Sequence, residues 1–131
     1  VRILDTDVCI EILRGNRQVI RRRRETLDTV TTTWVTAAEL FFGAARSKAP
    51  GDNRHLASRF LTTLDILGLD TPAVERFGGL KAGLEAEGRR LADFDLLIAA
   101  IALSYGAVLV TGNRRHYDRV PGLELEDWIR G

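Results

Sequence analysis

The chain has 131 residues, 45% of them hydrophobic and 28% charged, with a formal net charge of +1 at pH 7. That length suits one domain, residues 1–131, around one sizeable core, and the charge excludes a strongly basic body, so any electrostatic role must rest on local clusters. The lone Cys9 excludes an intrachain disulfide framework and an ordinary cysteine zinc site; no apolar run is long enough for a membrane span, no secretory leader is expected, and the expected setting is cytoplasmic.

In chain order, Val1 to Leu4 reads as a strand buried on both faces, and it ends abruptly in Asp5, Thr6 and Asp7. Val8 to Leu13 has apolar residues at helical spacing and stops at Arg14-Gly15. Asn16 can cap a second helix that carries the basic block Arg21, Arg22, Arg23 and Arg24, either a solvated face or a phosphate-contacting ridge. Thr29 to Thr33 is rich in β-branched residues and reads as a second strand. Thr36-Ala37-Ala38-Glu39 then fits a capping box opening a helix with Leu40, Phe41, Ala44 and Ala45 on its apolar stripe. Gly43 within that helix suggests close approach of another element.

Pro50-Gly51 marks a turn, followed by a helix near residues 54–63, a short strand near 66–69, and a helix opened by Thr71-Pro72 and running to about Gly88. Gly78, Gly79 and Gly83 weaken that last segment as one continuous helix. Asp93 fits the N-cap of a buried helix through Leu96 to Leu103, closed by Tyr105-Gly106. Ala107 to Val110 repeats the opening pattern, an apolar strand ending in polar Thr111-Gly112-Asn113. A loop from Arg114 to Pro121 leads to a short edge strand, Leu123 to Leu125, and Trp128 closes the core. Strands separated by helices imply an α/β protein, a three-layer α/β/α sandwich with a central, mainly parallel sheet.

In a parallel sheet, strand ends and the helix starts that follow them share one edge, where open α/β proteins hold their ligands. Asp5, Glu39, Asp95 and Asn113 all come from such junctions, with Asp7 and Asp93 beside them. Singly, most have structural explanations: Asp7 as a helix cap, Glu39 as the partner of Thr36, Asp93 and Asp95 as complements to a helix dipole, and Asn113 as a turn residue. Asp5 follows a buried strand outside the favoured cap position and has no such explanation. Jointly, several oxygen ligands without histidine or cysteine suit a hard ion, Mg²⁺ or Mn²⁺.

LDTD near the start, AAELFFGA in the middle, DFDLLIAAIA later and LVTGNRRHYDRVPGLELEDW at the end resemble the PIN domain, and more closely the VapC-type toxin ribonucleases of bacterial toxin–antitoxin pairs. The resemblance covers nearly the whole chain and is least distinctive from about residue 50 to 88. It implies a Mg²⁺-dependent endoribonuclease leaving a 5′-phosphate and a 3′-hydroxyl. Asp5, Glu39 and Asp95 match the family's metal ligands and, with Asn113, its catalytic set. Asn113 stands where many PIN domains carry a fourth acid, one negative charge fewer. Thr6 and Thr111 match hydroxyl residues of the pocket, and Asp7 and Asp93 stand beside it. A carboxylate, Asp95 or Asp5, would accept the proton of the attacking water.

Arg114 and Arg115, with Arg21 to Arg24 and Arg89-Arg90, are the candidates for gripping the RNA backbone. His116 reads first as a loop residue packing on Tyr117. The family also implies a cognate VapB-type antitoxin that places a basic side chain in the acidic pocket, and a homodimer. Two rival readings stay open: a HAD-like phosphohydrolase using Asp5 as nucleophile, motivated by DTDVC, and a non-catalytic PIN-like module that binds RNA or a partner, motivated by Asn113.

Overall fold

A computed structural model describes residues 1–131. The elements in order are β1 (Arg2–Leu4), α1 (Thr6–Leu13), α2 (Arg17–Glu25), β2 (Val30–Thr33), α3 (Trp34–Ala45), α4 (Pro50–Leu61), β3 (Asp65–Leu67), α5 (Thr71–Ala86), α6 (Asp93–Tyr105), β4 (Val108–Val110), α7 (Arg114–Tyr117) and β5 (Leu125–Glu126). The strands form one sheet in the order β3-β2-β1-β4-β5, and every pairing is parallel. β1 therefore lies in the middle, with β2 on one side and β4 on the other.

Side chains on β1 alternate between two cores, as the two-residue period of a strand requires. Ile3 points into a cluster built from α5, α6 and β4, including Ala73, Leu84, Ile98, Ile101 and Leu109. Leu4 points into a second cluster with Val8, Val19, Leu40, Phe60, Val110 and Trp128. Helices thus cover both faces, which gives the expected three-layer sandwich. Arg2 interrupts the apolar opening run and is tolerated because it pairs with Glu126 at 3.2 Å and with Asp28 at 2.9 Å.

Local signals moved in several places. Asp5, not Asp7, occupies the N-cap position of α1. The capping box at Thr36 and Glu39 does not form: α3 starts two residues earlier than Thr36, at Trp34, and its cap is Thr33, whose hydroxyl accepts from the Thr36 N–H at 3.1 Å. Ala92 holds the cap position of α6, which places Asp93 inside the first turn. α5 runs unbroken from Thr71 to Ala86 despite its glycines, held by the packing of Ala73, Phe77, Leu80 and Leu84 against the core that α6 shares. Gly43 has no neighbour where a Cβ would stand, so no close approach explains it. Part of the loop expected after Asn113 is the short helix α7, and the edge strand β5 falls at Leu125–Glu126.

Candidate active site

Parallel pairing delivers the carboxyl ends of β1, β2 and β4 to one edge of the sheet. Asp5 is the first residue past β1. Its N–H still reaches the Val110 carbonyl at 2.9 Å, which continues the ladder by one step. Its side chain is pinned by two donors, the Thr6 N–H at 2.9 Å and the Thr111 hydroxyl at 2.8 Å. The residue is only 4% exposed. Burial, followed by the charge of Asp7, pushes its carboxyl up to about 7, against the opposing pull of those two donors.

Asp7 lies in the first turn of α1 and accepts the Gly112 N–H at 2.8 Å. Its other oxygen is buried without a partner. Burial raises this carboxyl as well. Glu39 sits on α3 and accepts the Thr6 hydroxyl at 2.7 Å, and Thr6 in turn lies 3.0 Å from the Thr36 hydroxyl. The Thr36 and Glu39 side chains that read as a helix cap are thus turned toward the end of β1.

Asp95, in the first turn of α6, presents both oxygens to α7. The Tyr117 hydroxyl donates to Oδ1 at 3.3 Å, and His116 Nε2 stands 3.2 Å from Oδ2. The two rings meet edge to face at 6.2 Å, so His116 does pack on Tyr117 while also touching Asp95. Tyr117 is buried, and its phenol is held protonated by burial and by the charges of Asp5 and Asp95. Sequence reading missed this role, because an aromatic after a strand end carries no signal that separates packing from contact with an acid.

The other candidates make no side-chain contact with these acids. Asn113 is exposed; its side chain caps nothing, and its N–H goes to the Thr111 hydroxyl at 3.0 Å. Asp93 turns away from the pocket to Lys81 at 2.9 Å. The arginine block lies on α2. α2 ends where β2 begins, so Arg21 to Arg24 lie toward the amino edge of the sheet. Arg22 reaches Glu126, the last residue of β5, and stacks over Trp128, while Arg23 donates to Thr63, just before β3. Arg114 and Arg115 are exposed on α7, at the acidic edge. Two exposed aromatics flank that edge in the first turns of α3 and α6, Trp34 at 61% and Phe94 at 52% exposure.

No ion pair reaches Asp5, Asp7 or Glu39. The donor set is oxygen throughout, three carboxylates with threonine hydroxyls between them, which is the chemistry of a hard divalent cation. No three of these groups are close enough to form a ready-made cage, so water or substrate oxygens would have to complete the coordination. A separate groove of about 400 Å³ opens beside Glu39, lined by Ile10, Leu13, Leu40, Gly43 and Leu56 among others.

The family model of the PIN domain matches residues 2–123. The chain belongs to the PIN domain family. Within that family it is of the VapC type. It is 36% identical over 128 residues to the tRNA(fMet)-specific endonuclease VapC of Salmonella typhimurium, covering 96% of both chains. It is 33% identical over 128 residues to Ribonuclease VapC2 of Haemophilus influenzae, covering 97% of each. Among solved structures, the DNA-bound VapBC of Salmonella typhimurium superposes with a TM-score of 0.91 at 33% identity, covering 97% of both chains. The PIN fold of this chain also has no helix long and apolar enough to cross a membrane.

Proposed function

We propose that residues 1–131 act as one PIN-like domain, a Mg²⁺- or Mn²⁺-dependent endoribonuclease toxin neutralised by a VapB-type antitoxin. One observation carries the metal reading: Asp5 is a buried carboxylate beside two further acids with no cation of the chain against it. An isolated buried charge is costly, and a divalent ion would offset it. Relatives named ribonucleases and endonucleases, at up to 36% identity over nearly the full chain, support the reaction class.

Asp5, Glu39 and Asp95 would hold the ion, and Asn113 would add a neutral ligand or hold a water beside it. When bound, such an ion acidifies a coordinated water and neutralises charge building on the phosphoryl oxygens. Asp95, 28% exposed at its side chain, is placed to take the proton from the attacking water. Thr6 and Thr111 keep Glu39 and Asp5 oriented. Arg114 and Arg115 would hold phosphates beside the cut, and those of Arg21 to Arg24 left exposed would extend the grip on the RNA backbone. The groove beside Glu39 suits the antitoxin, since the structural neighbours are VapBC complexes. A homodimer is proposed from the family alone.

The HAD-like reading is disfavoured because the PIN family model matches residues 2–123. The decisive experiment is 5′-end sequencing of RNA after expression of wild type, Asp5→Asn and Asp95→Asn. Cleavage by wild type alone supports the proposal. Undiminished cleavage by both variants would refute it, and folded wild type that binds RNA without cutting would leave the non-catalytic module.

A further inference from the structure

Tyr117 is built into the fold in a way that packing does not explain. Its ring is 1% exposed, inside the cluster that holds Ile3, Leu96 and Leu109. A phenylalanine would fill that space equally well. The hydroxyl instead emerges at the acidic edge, donates to Asp95 Oδ1 at 3.3 Å, and faces Asp5 as well. It is a neutral donor standing between two carboxylates that repel each other. The only other group on Asp95 is His116, whose side chain is 45% exposed and so only loosely held.

We infer that Tyr117 is a positioning residue, whose phenol O–H fixes the orientation of the Asp95 carboxylate relative to Asp5 so that the pair is set to receive a divalent cation. This rests on the metal-dependent reading proposed above. A carboxylate oxygen accepts in two directions, so the phenol leaves Asp95 free to take a cation as well. Asp95 lies in the first turn of α6, where without this bond its side-chain torsions are restrained only by His116. Groups that orient a ligand from behind commonly matter tenfold or more to metal affinity.

The test is calorimetric titration of Mn²⁺ alone into metal-free wild type, Tyr117→Phe and Asp95→Asn, with cleavage kinetics alongside. The phenylalanine variant keeps the ring and removes only the hydroxyl. We expect Mn²⁺ to bind it about tenfold more weakly than wild type, with kcat falling by a similar factor and KM for RNA unchanged. Equal Mn²⁺ affinity in wild type and Tyr117→Phe overturns the inference and leaves the metal reading intact. Absence of Mn²⁺ binding to wild type overturns both.

Discussion

Thr111 and Asp5, 106 positions apart in sequence, meet at 2.8 Å where the two central strands end side by side. Both are buried, so the hydroxyl is one of two groups that stabilise the Asp5 charge in place of water. Thr111→Val keeps the shape and removes the donor. Loss of a hydrogen bond to a buried charged group costs roughly 1.5–3 kcal/mol. Urea denaturation of metal-free protein is expected to show that loss at pH 8, where Asp5 is ionised, and a smaller one at pH 5. Equal losses at both pH values would mean that the hydroxyl does not act on the Asp5 charge.

Asp5 also sets the pH dependence of stability. The folded state keeps its proton up to about 7, whereas the ordinary carboxyl value is 3.8. Between those values the folded chain binds more protons than the unfolded one, so stability falls as pH rises through the window and levels off above it. A shift of that size corresponds to at most about 4 kcal/mol. Asp7, raised by burial too, acts in the same direction. Metal-free wild type should be less stable at pH 8 than at pH 5, and Asp5→Asn should flatten the profile and raise the melting temperature at pH 8. Added Mn²⁺ should stabilise wild type more than Asp5→Asn at pH 8. A wild-type profile that rises toward pH 8 would contradict the assignment.

Gly112 leaves no room for a side chain. A Cβ there would stand 2.8 Å from Asp7 Oδ2, 2.9 Å from Ile129 Cδ1 and 3.0 Å from Arg130 Nη1. Gly112→Ala must therefore push Asp7 off the Gly112 N–H or displace the C-terminal segment. Overpacking of this kind costs about 1–3 kcal/mol. Chemical denaturation should place the variant in that range, while Gly15→Ala tests a different matter, the positive φ of 83° at a helix end.

Trp34 and Phe94 offer exposed rings at the edge where RNA would enter. Base stacking on an aromatic contributes roughly 1–3 kcal/mol per base. Trp34→Ala and Phe94→Ala should each raise KM for a single-stranded RNA substrate at least several-fold with little change in kcat. Unchanged KM in both would show that these rings serve another surface.

β1 and β4 were legible as apolar runs and β2 as a run of β-branched residues, and parallel topology brings the residues that follow them to one edge. Asp5 could be named for that reason, and Glu39 and Asp95 with it from the resemblance of the AAELFFGA and DFDLLIAAIA stretches to the PIN family. Cap positions were less legible: Thr31, Thr32, Thr33 and Thr36 are equivalent on paper, and only the point where β2 releases the chain selects Thr33. The partners of the arginine block were not legible, because charge in a run says nothing of which acids and rings the fold brings to it. Arg22 and Arg23 are claimed by Glu126, 104 positions away, and Thr63, 40 positions away. Tyr117 was hidden for the same reason, since its partner Asp95 is brought near by the crossover from α6 through β4.

The central place of β1 in the sheet has a consequence in time. β1 can pair with the nearby β2 early in folding, but its other neighbour, β4, ends at Val110. Thr111, Gly112 and Tyr117, which orient Asp5, Asp7 and Asp95, follow β4. Long-range parallel pairing is slow to form. The acidic edge is therefore put together only once β4 has joined β1.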